Sequence, residues 1–547
     1  MKIFNQRDMK KYIYIILAIC IQLPLSAQKL EQGWSVNEGG QGFDMARALT
    51  TDSDGNIYST GNFQGEATFR ESVVKASGDS DIFIAKYNEG GGLEWIRTAG
   101  SNIFVKNAIS EYGTAVTATD EHVYAVGTFS REASFGDLKI TSIGKQDIFI
   151  AKYDKDGELV WVKSAGGKSQ DRVTDITHDD DGNIYITGYY QNSAFFGNIG
   201  LENGRFTNLF VAKYDAMGNA VWVKEHTQEG NAQGSSLKYF DNSLYLAGNF
   251  ESGLGNEEFE IVGEGGTDVF ISQYDLDGQN LWTSSFGGSQ LETVADLDVN
   301  ELGVFIVGSF EGSIQTQVSE LSSVGKSDAF IAKYNLLGQP IWFKGLGGPD
   351  MDLASAIRVT DNKTVLVAGN FKDNILDGEH SIYAMGNSDV FVTELSSTGE
   401  LLQLSRQGQN NQDLVYSISK DLGSLILSGA IGKLNSGNMT TQESTNVFVN
   451  KVNLPFTENS ETLPFVDFAV YPNPTNDLFE VNLVLNDAFE NIDIGIYNLS
   501  GMRVAGRAFT QTNRVSHQFD IGDFASGLYL VTVKADDKEI SKNILLK

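Results

Sequence analysis

Short hydrophobic runs recur along most of the chain, separated by polar turns and ending at glycine or a charged residue. One run begins at Asp81 and reads DIFIAKY, and related runs begin in order at Asp147, Asn208, Asp268, Asp328, Asp389 and Asn446. A second type, such as Asn56–Gly61, ends in glycine and also occurs seven times. These short runs are rich in β-branched and aromatic residues, so they predict strands with a period of about 60 residues.

Each repeat offers four strands. In the first repeat they are a near Ala46–Thr50, b at Asn56–Gly61, c at Asp81–Tyr87, and d through Trp95. Four antiparallel strands per repeat form a propeller blade, so we predict a seven-bladed β-propeller. The last repeat lacks strand d, whereas Gly33–Val36 precedes any strand a. We therefore expect this N-terminal strand to complete the last blade and close the ring, which hides the sheet edges.

Tryptophan marks the d strand. The six tryptophans of the chain all occupy this place: Trp34, Trp95, Trp161, Trp222, Trp282 and Trp342. Gln403 takes the place in the sixth repeat, and a glycine turn such as Gly91 precedes strand d. A large residue at one fixed place predicts packing between neighbouring sheets, and Trp222→Ala should cost about 3–5 kcal/mol. No tryptophan is left over as a platform for stacking sugars.

The chain ends differ from the repeats. Lys10 and Lys11 precede an apolar run that closes at Ala27, so residues 1–27 are predicted to be a cleaved signal peptide. A lipoprotein acylated at Cys20 is the alternative, although Ile19 is large for the position before an acylated cysteine. The propeller is assigned to 28–452, a linker to 453–464, and a small Ig-like β-sandwich domain to 465–547. No later segment is apolar and long enough to cross a membrane.

The repeat D-G-N-I-Y-x-T-G, followed by D-I-F-I-A-K-Y-D-x-x-G and tryptophan, resembles the bacterial β-propeller repeat called SBBP. That resemblance covers 33–452 and implies a fold but no particular activity. The tail resembles the type IX sorting domain of Bacteroidetes-type bacteria. The residues that carry this second resemblance are Tyr471, Pro472, Asn473, Pro474, Gly501, Gly527 and Tyr529. It implies handling by the type IX secretion machinery, passage across the outer membrane, and a protein that is secreted or attached to the cell surface.

The net charge and the motifs limit which partners and reactions are expected for this chain. The net charge is −31, which repels phosphate backbones and argues against nucleic acid as a partner. The five histidines occupy unrelated places in the repeat, and the chain lacks a zinc, nucleophile-elbow or phosphate-loop motif. Acidic turns such as Asp52–Gly55 and Asp179–Gly182 lack the distal glutamate of a calcium loop and are interpreted as hairpin turns. No cofactor is expected, with calcium as the exception considered next.

An acid recurs just before strand a. It is Asp44, Glu111, Asp171, Glu292, Asp352 and Asp413, with Ala232 in the fourth repeat. If strand a is innermost, these carboxylates lie near one channel mouth and could bind calcium or a basic group. The alternative, which repetition favours, is that each side chain caps backbone N–H groups of the loop between blades.

Three functions follow from these features. The first is a non-catalytic binding scaffold for an extracellular protein or glycan, favoured because the repeats are similar in length and contain few insertions. The second is a polysaccharide hydrolase or lyase that uses carboxylates as acid and base. The third is a structural component of the cell surface. Catalysis is less expected than binding, because an active site should break the symmetry of the repeats.

Overall fold

The fold is all-β, as predicted. The computed structural model describes residues 31–101, 111–228, 230–255, 259–378, 380–408, 412–421, 424–432, 444–453, 465–471, 475, 477–498, 502–522, 524–535 and 538–546. Within these ranges the regular elements are strands β1 to β44, with no helix. The predicted signal peptide (1–27) and nearly all of the predicted linker (453–464) lie outside the described residues.

The strands follow one another in repeating groups. The first group is β1 Glu31–Gly40, β2 Met45–Thr51, β3 Ile57–Phe63, β4 Glu66–Phe69, β5 Ser72–Lys75, β6 Asp81–Tyr87 and β7 Leu93–Gly100. Next come β8 Tyr112–Ala118, β9 His122–Phe129, β10 Glu132–Phe135, β11 Leu138–Thr141, β12 Asp147–Asp154 and β13 Leu159–Gly166. Then come β14 Arg172–His178, β15 Ile184–Phe196, β16 Ile199–Tyr214 and β17 Ala220–Glu225.

The second half of the repeats continues the series. Its first strands are β18 Thr227–Gln228, β19 Ala232–Phe240, β20 Ser243–Gly255, β21 Glu260–Asp275 and β22 Asn280–Phe286. They are followed by β23 Glu292–Asn300, β24 Gly303–Phe310, β25 Ser313–Gln315, β26 Glu320–Ser322, β27 Asp328–Tyr334 and β28 Pro340–Leu346. The last are β29 Leu353–Val359, β30 Val365–Phe371, β31 Asn374–Asp377, β32 His380–Tyr383, β33 Asp389–Leu395, β34 Leu401–Gln407, β35 Asp413–Asp421, β36 Ser424–Gly432 and β37 Thr445–Asn453.

These strands form four-stranded antiparallel sheets arranged as a β-propeller. We call the sheets of the described chain blades 1 to 7: β2-β3-β6-β7, β8-β9-β12-β13, β14-β15-β16-β17, β19-β20-β21-β22, β23-β24-β27-β28, β29-β30-β33-β34 and β35-β36-β37-β1. The first strand of each blade packs on the first strand of the next, and β35 packs on β2. The innermost strands therefore surround a central channel.

The ring closes through the N-terminal strand. β1 pairs antiparallel with β37, with Trp34 opposite Lys451 and Val36 opposite Val449. Val36, Val447 and Val449 share one buried cluster with residues of blade 1. The two ends of the propeller are thus joined in one sheet, and the ladder replaces an exposed edge with paired backbone groups.

A hairpin between the second and third strands explains the long repeat. In blade 2 it is β10 and β11, and Phe135 of β10 pairs with Ala99 of β7 in blade 1. In blade 3 the same excursion brings Phe196 opposite Ala165 of blade 2. In these two blades the hairpin thus extends the outer strand of the preceding blade. Phe135 and Phe196 are almost fully buried there, so the hairpin adds apolar contact between blades.

The tryptophans lie at the blade junctions. Trp95 of blade 1 donates its indole N–H to the Lys155 carbonyl in a turn of blade 2, at 3.0 Å. In that same turn Gly157 has φ +79°, and a Cβ there would lie 2.7 Å from the Trp95 ring. The other five tryptophans make the equivalent bond to the next blade, at 2.9 to 3.3 Å. A glycine is required in the turn because the indole fills the space of a side chain.

The tail forms two sheets around its own core. Its strands are β38 Phe465–Tyr471, β39 Leu478–Phe489, β40 Ile492–Asn498, β41 Arg503–Phe509, β42 Thr512–Asp520, β43 Gly527–Ala535 and β44 Lys538–Leu546. One sheet has the order β38-β39-β42 and the other β41-β40-β43-β44. Phe479, Ile494 and Val531 are among the buried residues between them. The tail therefore has a hydrophobic core separate from those of the blades.

Candidate binding site in the central channel

The innermost strand of every blade carries a β-bulge at the same place. In blade 3 the register shifts between Val173 and Asp175, and in blade 5 between Val294 and Asp296. A bulge inserts one residue and turns the following side chains relative to a regular strand. Most of the residues four and six places after the recurring acid then line a channel cavity of about 280 Å³.

Most of the charged residues of the channel wall lie on one side. We call five residues contributed by blades 3 to 6 the charged wall: Asp175, Lys238, Asp296, Asp298 and Arg358. At the equivalent places the other blades carry small or hydroxyl residues, namely Ala48, Thr50, Ala115, Thr117, Ser417 and Ser419. The repeat therefore loses its symmetry at the channel. Three carboxylates and two cations give the charged wall a formal charge of −1.

Ion pairs connect the charged wall across blades. Lys238 Nζ lies 2.9 Å from Asp175 Oδ2, and Arg358 Nη1 lies 2.7 Å from Asp296 Oδ2. The Ser236 hydroxyl is 2.9 Å from a carboxylate oxygen of each of these two acids. Asp175 and Asp296 thus have fixed partners, and the network spans four neighbouring blades.

Asp298 differs from the other two acids of the wall. Its Oδ2 accepts the Val359 N–H at 2.7 Å, and no lysine or arginine nitrogen of the described chain lies within 4.0 Å of it. Burial raises the pKa of Asp298, and Arg358 only partly offsets this effect. For Asp296 burial acts in the same direction, but Arg358 and Lys238 outweigh it and the pKa is lowered. The channel therefore contains one acid that lacks a close cation.

The opposite wall has a different chemistry. The Arg47 guanidinium lies 4.6 Å from the centre of the Tyr112 ring and donates to the Asn62 amide oxygen at 3.1 Å. Tyr416 of blade 7 lines the same cavity, together with hydroxyl groups such as that of Thr114. A ligand in the channel would therefore meet the charged wall on one side and, on the other, hydroxyl groups and the single cation Arg47.

The six recurring acids predicted at the channel mouth are buried at separate blade junctions. Each is 0–2% exposed: Asp44, Glu111, Asp171, Glu292, Asp352 and Asp413. The Asp171 carboxylate accepts the Gly167 and Gln191 N–H groups at 2.6 and 3.1 Å, and Asp44 accepts those of Gly40 and Gln64 at 2.5 and 2.9 Å. These bonds tie together the loop between blades, as the capping interpretation expects. Ligand binding by these acids stays a prediction.

Asp52, Asp179 and His178, which belong to the acidic turns and histidines considered in the sequence, have local partners. Asp52 accepts the hydroxyl of Tyr58 at 2.9 Å and pairs with Lys155 at 2.8 Å, and Asp179 accepts the Tyr185 hydroxyl at 2.8 Å. His178 bonds to the Thr117 hydroxyl at 2.9 Å. Within the described ranges, no group of three histidine, cysteine or carboxylate side chains has the geometry to hold a metal ion.

In the tail, Tyr471 and Tyr529 are buried, and the Tyr529 hydroxyl donates to the Ala525 carbonyl at 2.7 Å. Pro472, Asn473, Pro474 and Gly501 lie outside the described residues. A family model described as the secretion system C-terminal sorting domain matches residues 469–547. A second model, described as a β-propeller repeat (SBBP), matches residues 160–189, which include strands β13 and β14.

The chain is an exported β-propeller protein with a type IX sorting domain. The sorting domain directs handling by the type IX secretion system, followed by secretion or attachment to the outer cell surface. A search of the described residues for a helix with the length and hydropathy of a membrane span found none.

Two curated proteins are similar to the exported propeller over part of their length. An uncharacterised WD repeat-containing protein, L264, of Acanthamoeba polyphaga mimivirus is 21% identical over 495 residues, covering 71% of this chain and 35% of the relative. The regulatory protein FlaEY of Caulobacter vibrioides is 26% identical over 413 residues, covering 67% of this chain and 42% of the relative. The exported propeller thus spans less than half the length of either relative.

Among solved structures, the Trypanosoma rangeli sialidase in complex with sialic acid aligns with a TM-score of 0.33 at 8% identity. The alignment covers 95% of this chain and 88% of the sialidase.

The sequence predictions did not include the charged wall. The signal was present, because Asp175, Asp296 and Arg358 replace alanine, serine or threonine at fixed places in an otherwise similar strand. A residue that differs from the repeat in one blade does not by itself indicate a site. The position of the bulge is needed to show which places of the strand face the channel. The channel geometry therefore identifies a site that repeat counting alone does not.

Proposed function

We propose that the exported propeller is a non-catalytic binding protein whose channel receives a positively charged group of its ligand. The single observation that carries this proposal is the charged wall, where Asp298 faces the cavity without a close cation. The lysine side chain of an extracellular protein or the amine of an amino sugar would supply the missing charge. Hydroxyl groups on the rest of the wall suit the polar atoms around that amine.

The contacts of the other acids favour binding over catalysis. A glycoside hydrolase needs one carboxyl group that can donate a proton and a second that can attack or activate water. Asp175 and Asp296 are instead paired with Lys238 and Arg358, so both carboxylates are already occupied by a partner within the protein. Ion pairs of this kind fix the shape of a site and set which ligand charge it accepts.

A binding screen with the purified protein tests the function. The protein is applied to an array of glycans, including amino sugars, and to extracellular matrix proteins, and each ligand that binds is assayed for cleavage. Saturable binding without a product is the expected result. A cleaved glycan would replace this proposal with the hydrolase or lyase alternative, and absence of binding throughout would favour the structural role at the cell surface.

A matched pair of variants tests the location of the site. Asp298→Asn removes the charge but keeps an oxygen for the Val359 N–H, so we expect binding to weaken by about tenfold while the melting temperature is unchanged. Asp137→Asn removes the same charge from an exposed turn between β10 and β11 and should not alter binding. Equal affinity of both variants would place the ligand outside the channel.

A further inference from the structure

Pairs of buried carboxyl groups lie at several blade junctions, outside the channel. The residue before the acid of one blade's third strand forms a parallel bridge to the residue before the recurring acid of the next blade, as in Gln146 with Gln170. The acids that follow are therefore neighbours. Three such pairs are Asp147 with Asp171, Asp268 with Glu292, and Asp328 with Asp352.

Each pair surrounds glycines at the end of an outer strand. A Cβ on Gly166 would lie 2.7 Å from Asp147 Cγ and 3.0 Å from Asp171 Oδ2, so the two carboxyl groups converge on one residue. At the junction of blades 5 and 6, a Cβ on Gly347 would lie 2.4 Å from Asp328 Cγ. All six acids are 0–3% exposed. Two carboxyl groups are thus held side by side in a place that excludes water.

The hydrogen bonds do not satisfy every oxygen of these pairs. Asp147 Oδ2 accepts the Ile143 N–H at 2.8 Å, and Asp171 accepts the two N–H groups described above. In contrast, Asp147 Oδ1 is buried without a hydrogen-bond partner. The same is true of Asp268 Oδ1, Asp328 Oδ1 and Glu292 Oε1. A buried oxygen of this kind is expected to have a donor.

Three of the four remaining junctions show how surplus charge is avoided, whereas the fourth, between blades 1 and 2, has the two buried acids Asp81 and Glu111. At the junction of blades 6 and 7, Arg406 Nη1 lies 2.9 Å from Asp389 Oδ2 and supplies a cation. At the junction of blades 3 and 4, the corresponding residues are Asn208 and Ala232, so both acids are absent together. At the closure of the ring, Asn446 stands beside Asp44, and a Cβ on Gly39 would lie within 2.9 Å of both side chains.

We propose that each of the three carboxyl pairs binds one proton, which the two acids share across the blade junction. A shared proton supplies the donor that the orphan oxygen lacks and removes one of two like charges from a dry site. It offsets the surplus negative charge, as Arg406 does beside Asp389. The ring would then lose stability when these protons dissociate.

The electrostatic surroundings agree with this assignment. Burial raises the pKa of Asp171, Glu292 and Asp352 to about 7 and that of Asp147 to about 6. The charged groups that face the pairs are further acids: Glu264 and Glu311 at Glu292, and Asp350 at Asp352. At Asp171 the neighbouring charged group is Asp147, which also raises its pKa.

The direction of the pH effect follows from these raised values. The folded state holds protons that the unfolded chain has already released above about pH 4. The stabilisation is therefore fully present at about pH 4 and is lost as the pH rises through about 7. Above that pH both carboxyl groups of each pair are ionised, and their like charges repel each other at the buried junction.

The test measures melting temperature from pH 5 to pH 8, in chelator, for the protein, Asp147→Asn and the exposed control Asp137→Asn. An amide at 147 can donate permanently to Asp171, as Asn446 stands beside Asp44. We expect Asp147→Asn to melt higher at pH 8 and to lose part of the pH-dependent fall, because this pair no longer titrates. The control should keep the whole fall.

Two results would overturn the proposal. One is an equal fall in Asp147→Asn, the control and the unchanged protein. The other is that calcium at pH 8 raises the melting temperature of the protein but not of Asp147→Asn, which would assign a metal ion to the pair. If Asp147→Asn does not fold, infrared spectra of the unchanged protein test whether the carboxyl pairs are protonated. The band of protonated carboxyl groups must persist at pH 6, and its absence would exclude shared protons.

Discussion

The blade junctions and the channel wall are built by the same repeat, but their residues vary from blade to blade to different extents. At the junctions the same residues return from blade to blade, with tryptophan over a glycine turn and an acid on backbone N–H groups. Along the channel, places four and six after the recurring acid change from alanine or threonine to aspartate, lysine and arginine. Residues that recur from blade to blade stabilise the ring. Residues that differ from the repeat in adjacent blades indicate a local site.

The largest effect should come from removing a junction tryptophan. Trp95 is 8% exposed, and its ring packs against Tyr58 and Tyr153 as well as the glycine turn of blade 2. Trp95→Ala should lower the free energy of unfolding by about 3–5 kcal/mol, measured by chemical denaturation. Trp222 is only partly buried, so Trp222→Ala should be nearer the lower value of about 3 kcal/mol.

Blade 6 provides a control for this comparison, because Gln403 stands where the other blades have tryptophan. Gln403→Ala should cost less than about 1 kcal/mol. A similar cost for Gln403→Ala and Trp95→Ala would show that the indole is not what joins the blades.

A smaller effect is expected from the channel wall. Arg358→Ala leaves Asp296 without its closest cation and should lower the free energy of unfolding by about 2–4 kcal/mol. Arg47→Ala, on the opposite wall, removes a guanidinium that contacts the Tyr112 ring and the Asn62 amide but no carboxylate, and should cost about 1 kcal/mol.

Denaturation of the double variant Asp296→Asn with Arg358→Ala sharpens the measurement. It should recover part of the stability lost in Arg358→Ala, because the uncompensated charge is gone. Equal costs for the two arginines and no recovery would mean that the charged wall is not held by ion pairs.

The sequence predicted the parts of the fold that depend on local pattern. Strand c of the first repeat was predicted at Asp81–Tyr87 and has these bounds, and the N-terminal strand that carries Trp34 pairs with β37. Both features follow from short apolar runs and a missing fourth strand. The hairpin between the second and third strands was not predicted, because β10 and β11 have only four residues each and become strands through pairing with the preceding blade.

The candidate site was harder to predict for a physical reason. The recurring acids were visible as a pattern, but their burial and their backbone N–H donors depend on the approach of two blades. Asp298 and Arg358 lie 60 residues apart in the chain, and only ring geometry brings neighbouring inner strands together. The repeat itself can thus be recognised in the sequence. Which of its substituted residues lie together in one site can be known only from the positions of the blades.

The smallest expected effect separates backbone strain from packing at the junction. Gly338 and Gly182 have φ of +78° and +77°, so alanine imposes a similar strain of about 1–2 kcal/mol at either turn. A Cβ at Gly338 would also lie 2.5 Å from the Trp282 ring, whereas nothing lies within 4 Å of one at Gly182. Gly338→Ala should therefore cost about 1–2 kcal/mol more than Gly182→Ala in denaturation experiments. Equal costs would mean that the turn glycines are needed for their backbone conformation alone, and that the indole can move aside without loss.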